Sequence, residues 1–443
     1  MSLASTRSAS QDKIVKAENR LHTTSYQDQK GVEVLDEKNT TKDVNSAILP
    51  IRNDLEAVLN VPKVFPEGGW RAWKTVAGSF LIQFTCFGYI GSFGVYQTFY
   101  VTQYLRTFSP SDIGWIGGVQ LGLNFGLGVV TGELFDRGYF YHLSAASIAL
   151  YAIASEPQYT GMIQYTLMEN LFFCGVSRKV FLTNGIALGL ACGLTYSPSL
   201  AIAGNYFKTR RPLAVGIISA GSSLGAVVHP IMLNNLINSS LGFHNAVRVS
   251  GAMNVTLLLV ALILMRTRLP PKATTERLSI KKWFREPAYV TFLASCFPYV
   301  LGIFFVPFYI QLYAVTHGID DRLAFYTVSI YNAGSTFGRI IPAFVAHTFG
   351  TVNMLAFFTI ASGVIVISML AVKSFLGIVV AGSLAGVFSG ASIALGPALL
   401  AQMAEHPSEI GARIGIYFGM SATMAFLSQG ALSGMRQPDF WAL

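Results

Sequence analysis

Arg339 is the residue of this chain whose surroundings say most about chemistry. It stands near the middle of an otherwise apolar stretch, 324–348, with Asn332, Ser335 and Thr336 before it. Residues three, four and seven apart share one face of a helix, so these four form a polar stripe. A guanidinium presents five donors in a planar fork, which suits a carboxylate or a phosphate. Helix-end carbonyls would satisfy the same donors without any ligand. His229, just before Pro230, is the other titratable side chain well inside an apolar stretch, cysteines and tyrosines aside. An imidazole titrates near neutrality, so His229 is a candidate proton relay, or simply a hydrogen-bonded core histidine. Asp136-Arg137 close the stretch 113–135, where an ordinary loop charge pair is one reading. No carboxylate occupies the middle of a well-formed apolar stretch, so both proton coupling and uniport stay open.

The elements that must position these residues are membrane helices. Of 443 residues, 52% are hydrophobic and 12% charged, against about 25% charged in an average soluble domain. The apolar residues gather in runs of roughly 20, the length a helix needs to cross about 30 Å of hydrocarbon. A net charge of +9 fits the excess of Lys and Arg in cytoplasmic loops. No basic stripe with interleaved aromatics suggests nucleic acid as a partner. The four cysteines are scattered, with neither metal spacing nor a disulfide framework. No cofactor is expected.

Residues 1–65 are polar and aperiodic and read as a disordered cytoplasmic tail. Membrane-length segments are expected near 73–101, 113–135, 143–162, 180–206, 213–237 and 244–265. A basic cytoplasmic linker, 266–286, precedes further segments near 287–314, 324–348, 353–372, 374–402 and 412–434. With the N-terminus in the cytoplasm, inside loops collect Lys208, Arg210, Arg211, Arg266, Arg268, Lys281, Lys282 and Arg413 among others, more than the outside loops hold. The expected placement is a multi-pass protein of the plasma membrane. Rows of small residues, Gly118/Gly122/Gly126, Gly185/Gly189/Gly193 and Gly382/Gly386/Gly390, are expected to let helices approach closely in lipid.

The halves repeat. Gly122, Phe125, Gly126 and Gly138 match Gly334, Phe337, Gly338 and Gly350 at an offset of 212, and Pro198, Leu200 and Gly216 match Pro397, Leu399 and Gly415 at 199. The change of offset assigns roughly 13 extra residues to the first half, around the third helix. There Glu156-Pro157-Gln158 interrupts the apolar run. The segment 155–179 is either an extracellular insertion or sequence read across a splice-site error. The second is favoured, because such a break leaves polar groups unpaired in lipid. Shifting the sixth helix by 199 places its counterpart at the chain end, so a twelfth helix is expected to be missing. The expected division is therefore a bundle at 66–265 and a truncated one at 287–443.

Pro66-Glu67-Gly68-Gly69-Trp70 resembles the Asp-Gly-Gly-Trp opening of the monocarboxylate transporter branch of the major facilitator superfamily, with Glu67 for Asp. Ser92-Phe93-Gly94-Val95-Tyr96, Phe135-Asp136-Arg137-Gly138-Tyr139-Phe140, Tyr196-Ser197-Pro198-Ser199-Leu200 and the run Ser329 to Arg339 continue the likeness to fungal members. The resemblance implies an all-α membrane protein of the major facilitator fold, two six-helix bundles, here about eleven helices. It places Arg339 on the arginine that binds substrate carboxylate in that family. Ser335 stands where the family has an acidic partner, and Gly91 where animal lactate carriers have lysine. Those departures suit the fungal carriers of riboflavin and metabolites and the exporters of secondary metabolites. The fold also places Tyr89, Tyr299, Phe304, Phe305 and Tyr309 on the cavity-lining first and seventh helices, and Asp136-Arg137 on a shortened gating motif.

One motif points elsewhere and fails on context. Gly221-Ser222-Ser223-Leu224-Gly225 matches a hydrolase elbow but lies in an apolar helix, where the required strand and turn are absent. No phosphate-binding Gly-rich loop ending in Lys-Ser/Thr occurs. The chain is thus expected to be no enzyme, but a secondary active or facilitated carrier working by alternating access. Its solute would be a small organic molecule, a carboxylate or metabolite, or an exported secondary metabolite. A non-transporting truncated product or membrane scaffold is the competing class.

Overall fold

The computed structural model describes residues 66–100, 103, 110–155, 180–268, 280–303 and 305–433. The expected tail, nearly all of the irregular segment at 155–179 and the end of the chain lie outside the described residues. No strand occurs among the described residues.

The helices fall where the apolar runs require. The first is α1, Trp70–Ile90, continued after a Gly91-Ser92 break by Phe93–Phe99. Next comes α2, in two pieces, Pro110–Gly126 and Gly128–Asp136, then α3, Phe140–Ser155. The fourth, α4, opens with a π-helical turn, Phe181–Ala187, and continues as Leu188–Ala201 and Ile202–Asn205. The half closes with α5, Arg211–Ile237, and α6, Gly242–Leu264. The second half holds α7 (Pro287–Ile303 and Phe305–Thr316), α8 (Asp321–Phe349), α9 (Thr351–Met369), α10 (Phe375–Met403) and α11 (Ile410–Ser433). Seven of these stretches are long and apolar enough to cross a bilayer by length and composition alone. The third helix, α3, is described for 16 residues, to Ser155.

The repeated glycines occupy equivalent places. Gly138 (φ 90°) turns α2 into α3, and Gly350 (φ 82°) turns α8 into α9. Both adopt the left-handed backbone that glycine enters without steric cost. Pro198 and Pro397 both lie inside helices, α4 and α10. Two of the three expected glycine rows bring helices into close contact. Gly185, Gly189 and Gly193 press onto the α2 backbone at Ile116, Gln120 and Leu123. In the other half Gly386 and Gly390 press onto Tyr331 and Ser335 of α8, while Gly334 and Gly338 meet Ser383 and Val387 of α10.

Two seams join the halves. Gly216 of α5 lies against the Arg339 carbonyl and Ala343 of α8. Gly415 of α11 lies against the Gly128 carbonyl of α2, and Gly411 against Gly132. A Cβ at any of these glycines would collide with backbone of the other half. The seams are related by the same offsets that relate the sequences.

Candidate functional site

The arginine expected to meet solute is built into the seam between α5 and α8. Arg339 is 3% exposed. Its Nη1 donates to the Ser219 carbonyl at 2.7 Å and to the Ser222 hydroxyl, and its Nε to the Ser335 hydroxyl at 3.4 Å. Ser223 donates across the same seam to Ser335 at 3.1 Å. Burying the cation at a helix centre costs about 2.5–3.5 kcal/mol on insertion scales, and bonds of this kind offset it at roughly 1.5–3 kcal/mol each. The second terminal nitrogen, Nη2, makes no hydrogen bond among the described residues.

The rest of the expected polar stripe divides. Ser335 joins Arg339, but Asn332 donates to the Val328 carbonyl one turn back at 3.0 Å, and Thr336 to Asn332 at 3.0 Å. Tyr299 reaches α10, its hydroxyl donating to the Ser389 carbonyl at 3.3 Å, beside Gly390, which presses on Ser335. Ser389 also bonds the Tyr331 hydroxyl at 2.8 Å. The surroundings of Phe304, Phe305 and Tyr309 side chains lie outside the described residues.

Tyr89 belongs to a different cluster. Its hydroxyl donates to Tyr96 at 2.7 Å, and its ring stands 6.4 Å from that of His229. His229 is 1% exposed, with Nδ1 3.0 Å from the Gly225 carbonyl and Nε2 2.9 Å from Asn254 Oδ1. Asn254 donates onward to the Tyr151 hydroxyl at 2.8 Å. This chain of side chains crosses α5, α6 and α3 and lies wholly within the first half.

The sequence pair Asp136-Arg137 is split by the fold. Asp136 is 7% exposed and accepts from the backbone N–H groups of Gly411 at 3.2 Å and Ala412 at 2.9 Å. A carboxylate there satisfies otherwise unpaired donors of the α11 N-terminus and its positive dipole end. Arg137 points away and pairs with Glu133, one turn back at the exposed edge.

Four further contributors surround these residues. Arg413, 0% exposed, bonds Glu286 at 2.8 Å and Glu409 at 3.4 Å. Its guanidinium stacks on Trp283 and Tyr289, 4.9 and 5.2 Å from the ring centroids. Arg211 donates to the carbonyls of Phe207 and Ala401, tying α5 to α10 of the other half. Both arginines counted only as loop charge, since nothing local distinguishes a buried loop arginine from a solvated one. Glu67 of the opening signature accepts from the backbone N–H of Lys208, Thr209 and Arg210 at 2.8, 2.7 and 3.1 Å. Burial alone would raise its carboxyl, but these three donors outweigh it and hold the group below the usual carboxylate range. The fourth is a set of buried amides. Gln83 donates to Tyr196 and Ser199 of α4 at 3.1 and 2.8 Å, while Gln120 and Asn124 of α2 are 1% exposed and have no hydrogen-bond partner. Their signal was present as amides in an apolar run.

An aromatic layer joins these parts at mid-depth. Phe125 of α2 and Tyr196 of α4 stand 5.3 Å apart, and both meet Phe418 of α11, at 5.5 and 5.0 Å. Polar groups flank an apolar layer at the junction of two halves, an arrangement that suits an amphipathic organic solute.

Comparisons with known proteins identify the family. The aspyridones efflux protein of Emericella nidulans is 38% identical over 385 residues, 86% of this chain and 74% of that protein. The agnestins efflux protein of Paecilomyces divaricatus is 33% identical, covering 82% of this chain and 79% of its own. Among solved structures, the proton:xylose symporter XylE matches with a TM-score of 0.63 at 14% identity, over 83% of this chain and 89% of its own. The transporter FucP in its outward conformation matches at 0.59 and 14% identity, over 81% and 89%. The family model of the Major Facilitator Superfamily matches residues 84–429, so the chain belongs to that superfamily and is a multi-pass membrane transporter of small organic solutes.

Proposed function

We propose that this transporter exports an anionic secondary metabolite, with Arg339 as the group that holds the solute's acid. The observation that carries the reading is the half-used fork of Arg339: one terminal nitrogen bonds Ser219 and Ser222, and the other has no partner among the described residues. An incoming carboxylate accepts from Nη2 first. It then competes with Ser219 and Ser222 for the rest of the guanidinium, loosening α5 from α8 as the solute seats. Binding and opening of the seam are thereby one event, which is what alternating access requires. The export direction and metabolite class are supported by relatives named for efflux of aspyridones and agnestins. The monocarboxylate-transporter-like branch is supported by the Glu67-Gly68-Gly69-Trp70 opening.

In this reading the Asp136–α11 latch is the cytoplasmic gate and the N-terminus lies in the cytoplasm, as loop charge suggests. The membrane is the plasma membrane, with 66–265 and 287–443 as the two moving bundles, 266–286 as their linker and 1–65 as a tail. His229 is the proton relay, since Asn254 and Tyr151 extend its hydrogen bonds across three helices.

The test is export of a panel of aromatic and polyketide-type acids from yeast expressing the chain, followed by mass spectrometry. Arg339→Ala and Arg339→Lys are expected to abolish export with membrane insertion intact. Normal export by Arg339→Ala would make Arg339 a seam residue alone.

A further inference from the structure

We propose that Gln120 and Asn124 form a second subsite, which hydrogen-bonds an uncharged polar group of the solute that both donates and accepts (an amide or a hydroxyl) while Arg339 holds its acidic end. This rests on the reading of Arg339 given above and adds the chemistry of the solute's other end.

All four amide atoms of Gln120 and Asn124 are buried without a hydrogen-bond partner. One turn apart, the two side chains share a face of α2. Gly117, Asn124 and Gly128 lie along one stripe of that helix. Gly117 sits beneath the Phe93 ring of α1, and Gly128 lies against Phe418 and Gly415 of α11. Asn124 is therefore aimed between α1 and α11, at the junction of the halves. Gln120 lies where the α2 backbone presses on Gly189 of α4. From the α1 side, Gln83 keeps its Nε2 on α4 and leaves its Oε1 unpartnered.

The amide pair and Arg339 share a wall. Gly221, between Arg339's partners Ser219 and Ser222, presses on the Phe80 carbonyl of α1, one turn before Gln83, which donates to the Tyr196 carbonyl. The Tyr196 ring stands 5.3 Å from that of Phe125, next to Asn124 in the chain. A solute lying across Tyr196 meets a cation on one side and amides on the other. Buried amides without partners are strongly unfavourable, and are normally explained by a partner that arrives. Each amide offers both a donor and an acceptor, so its complement is a neutral group; a carboxylate would face repulsion from the amide oxygens.

The experiment uses the purified full chain and two probes, 2-naphthoate and 6-carbamoyl-2-naphthoate, titrated calorimetrically. The wild type is expected to bind the carbamoyl probe about tenfold more tightly, as expected of a site whose buried polar groups are otherwise unpaired. The double variant Gln120→Leu/Asn124→Leu should lose that preference while melting at a higher temperature. If it fails to fold, the single variant Asn124→Ala is expected to lose most of the preference. A preference that survives both substitutions, or no preference in the wild type, overturns the subsite and leaves the amides to water. Arg339→Ala should weaken both probes alike. If it weakens neither while the leucine pair still abolishes the preference, the Arg339 reading fails and the amide subsite stands. Failure of both probes to bind the wild type overturns both readings.

Discussion

The carboxylate of Asp136, the last residue of α2, accepts a 2.9 Å hydrogen bond from the backbone N–H of Ala412 in the first turn of α11. One residue thus latches the end of the first half onto the start of a helix in the second. Asp136→Ala should weaken the latch by about 1–2 kcal/mol, the scale of a lost helix cap. A cysteine placed at Ala412 should then react faster with a membrane-impermeant thiol reagent applied from that side. Asp136→Asn, which keeps one acceptor, should fall between. Unchanged reactivity in Asp136→Ala would mean that the glycine seams alone close this end.

Because the two seams are related by the repeat, enlarging either should produce the same defect. Gly216→Val and Gly415→Val each push a side chain into backbone of the opposite half, an overpacking worth about 1–3 kcal/mol. The cysteine pair Ser223→Cys/Ser335→Cys, whose parent hydroxyls lie 3.1 Å apart, reports closure by oxidative cross-linking. Either valine should slow cross-linking by roughly tenfold or more. Unequal effects would show that the seams do not move as equivalents.

Arg413 holds the start of α7 to α11 through Glu286 and stacks on Trp283. Arg413→Ala leaves Glu286 without its partner and should cost about 3 kcal/mol of stability, read as a lower melting temperature of the purified protein. Arg413→Lys should recover only part, since an ammonium lacks the planar fork.

Glu67 carries a pH dependence of known sign. Its folded pKa lies below the usual 4.5, so its cap contributes fully above about pH 4.5 and is lost as pH falls through the depressed folded value. Glu67→Gln should remove that acid-side component of stability and cost about 1 kcal/mol at neutral pH. The measurement is melting temperature between pH 3 and 7. An identical pH profile in Glu67→Gln would show that the carboxylate is not what ties residues 208–210 to the chain before α1.

The helices and their pairing were legible because lipid enforces them. Every backbone polar group must be satisfied within its own segment, so apolar runs mark helices directly. The glycine rows marked close approach for the same reason. The offsets of 212 and 199 foretold that Gly216 and Gly415 would be equivalent, and the seams place them so. The separation of Asp136 from Arg137 was not legible, because which neighbour turns inward depends on where α11 begins in space.

By itself, then, the sequence determined a membrane protein of two related bundles, the order of its helices, and Arg339 as a charge that must find internal partners. Those follow from the cost of polar groups in hydrocarbon, which acts on each segment separately. Only the tertiary structure decided who the partners are: Ser219 and Ser222 for Arg339, Asn254 for His229, the α11 backbone for Asp136. It also left the buried amides of Gln120 and Asn124 without a hydrogen-bond partner among the described residues. Hydrogen bonds reach about 3 Å, and residues more than a hundred positions apart come within that reach only through the packing of whole helices.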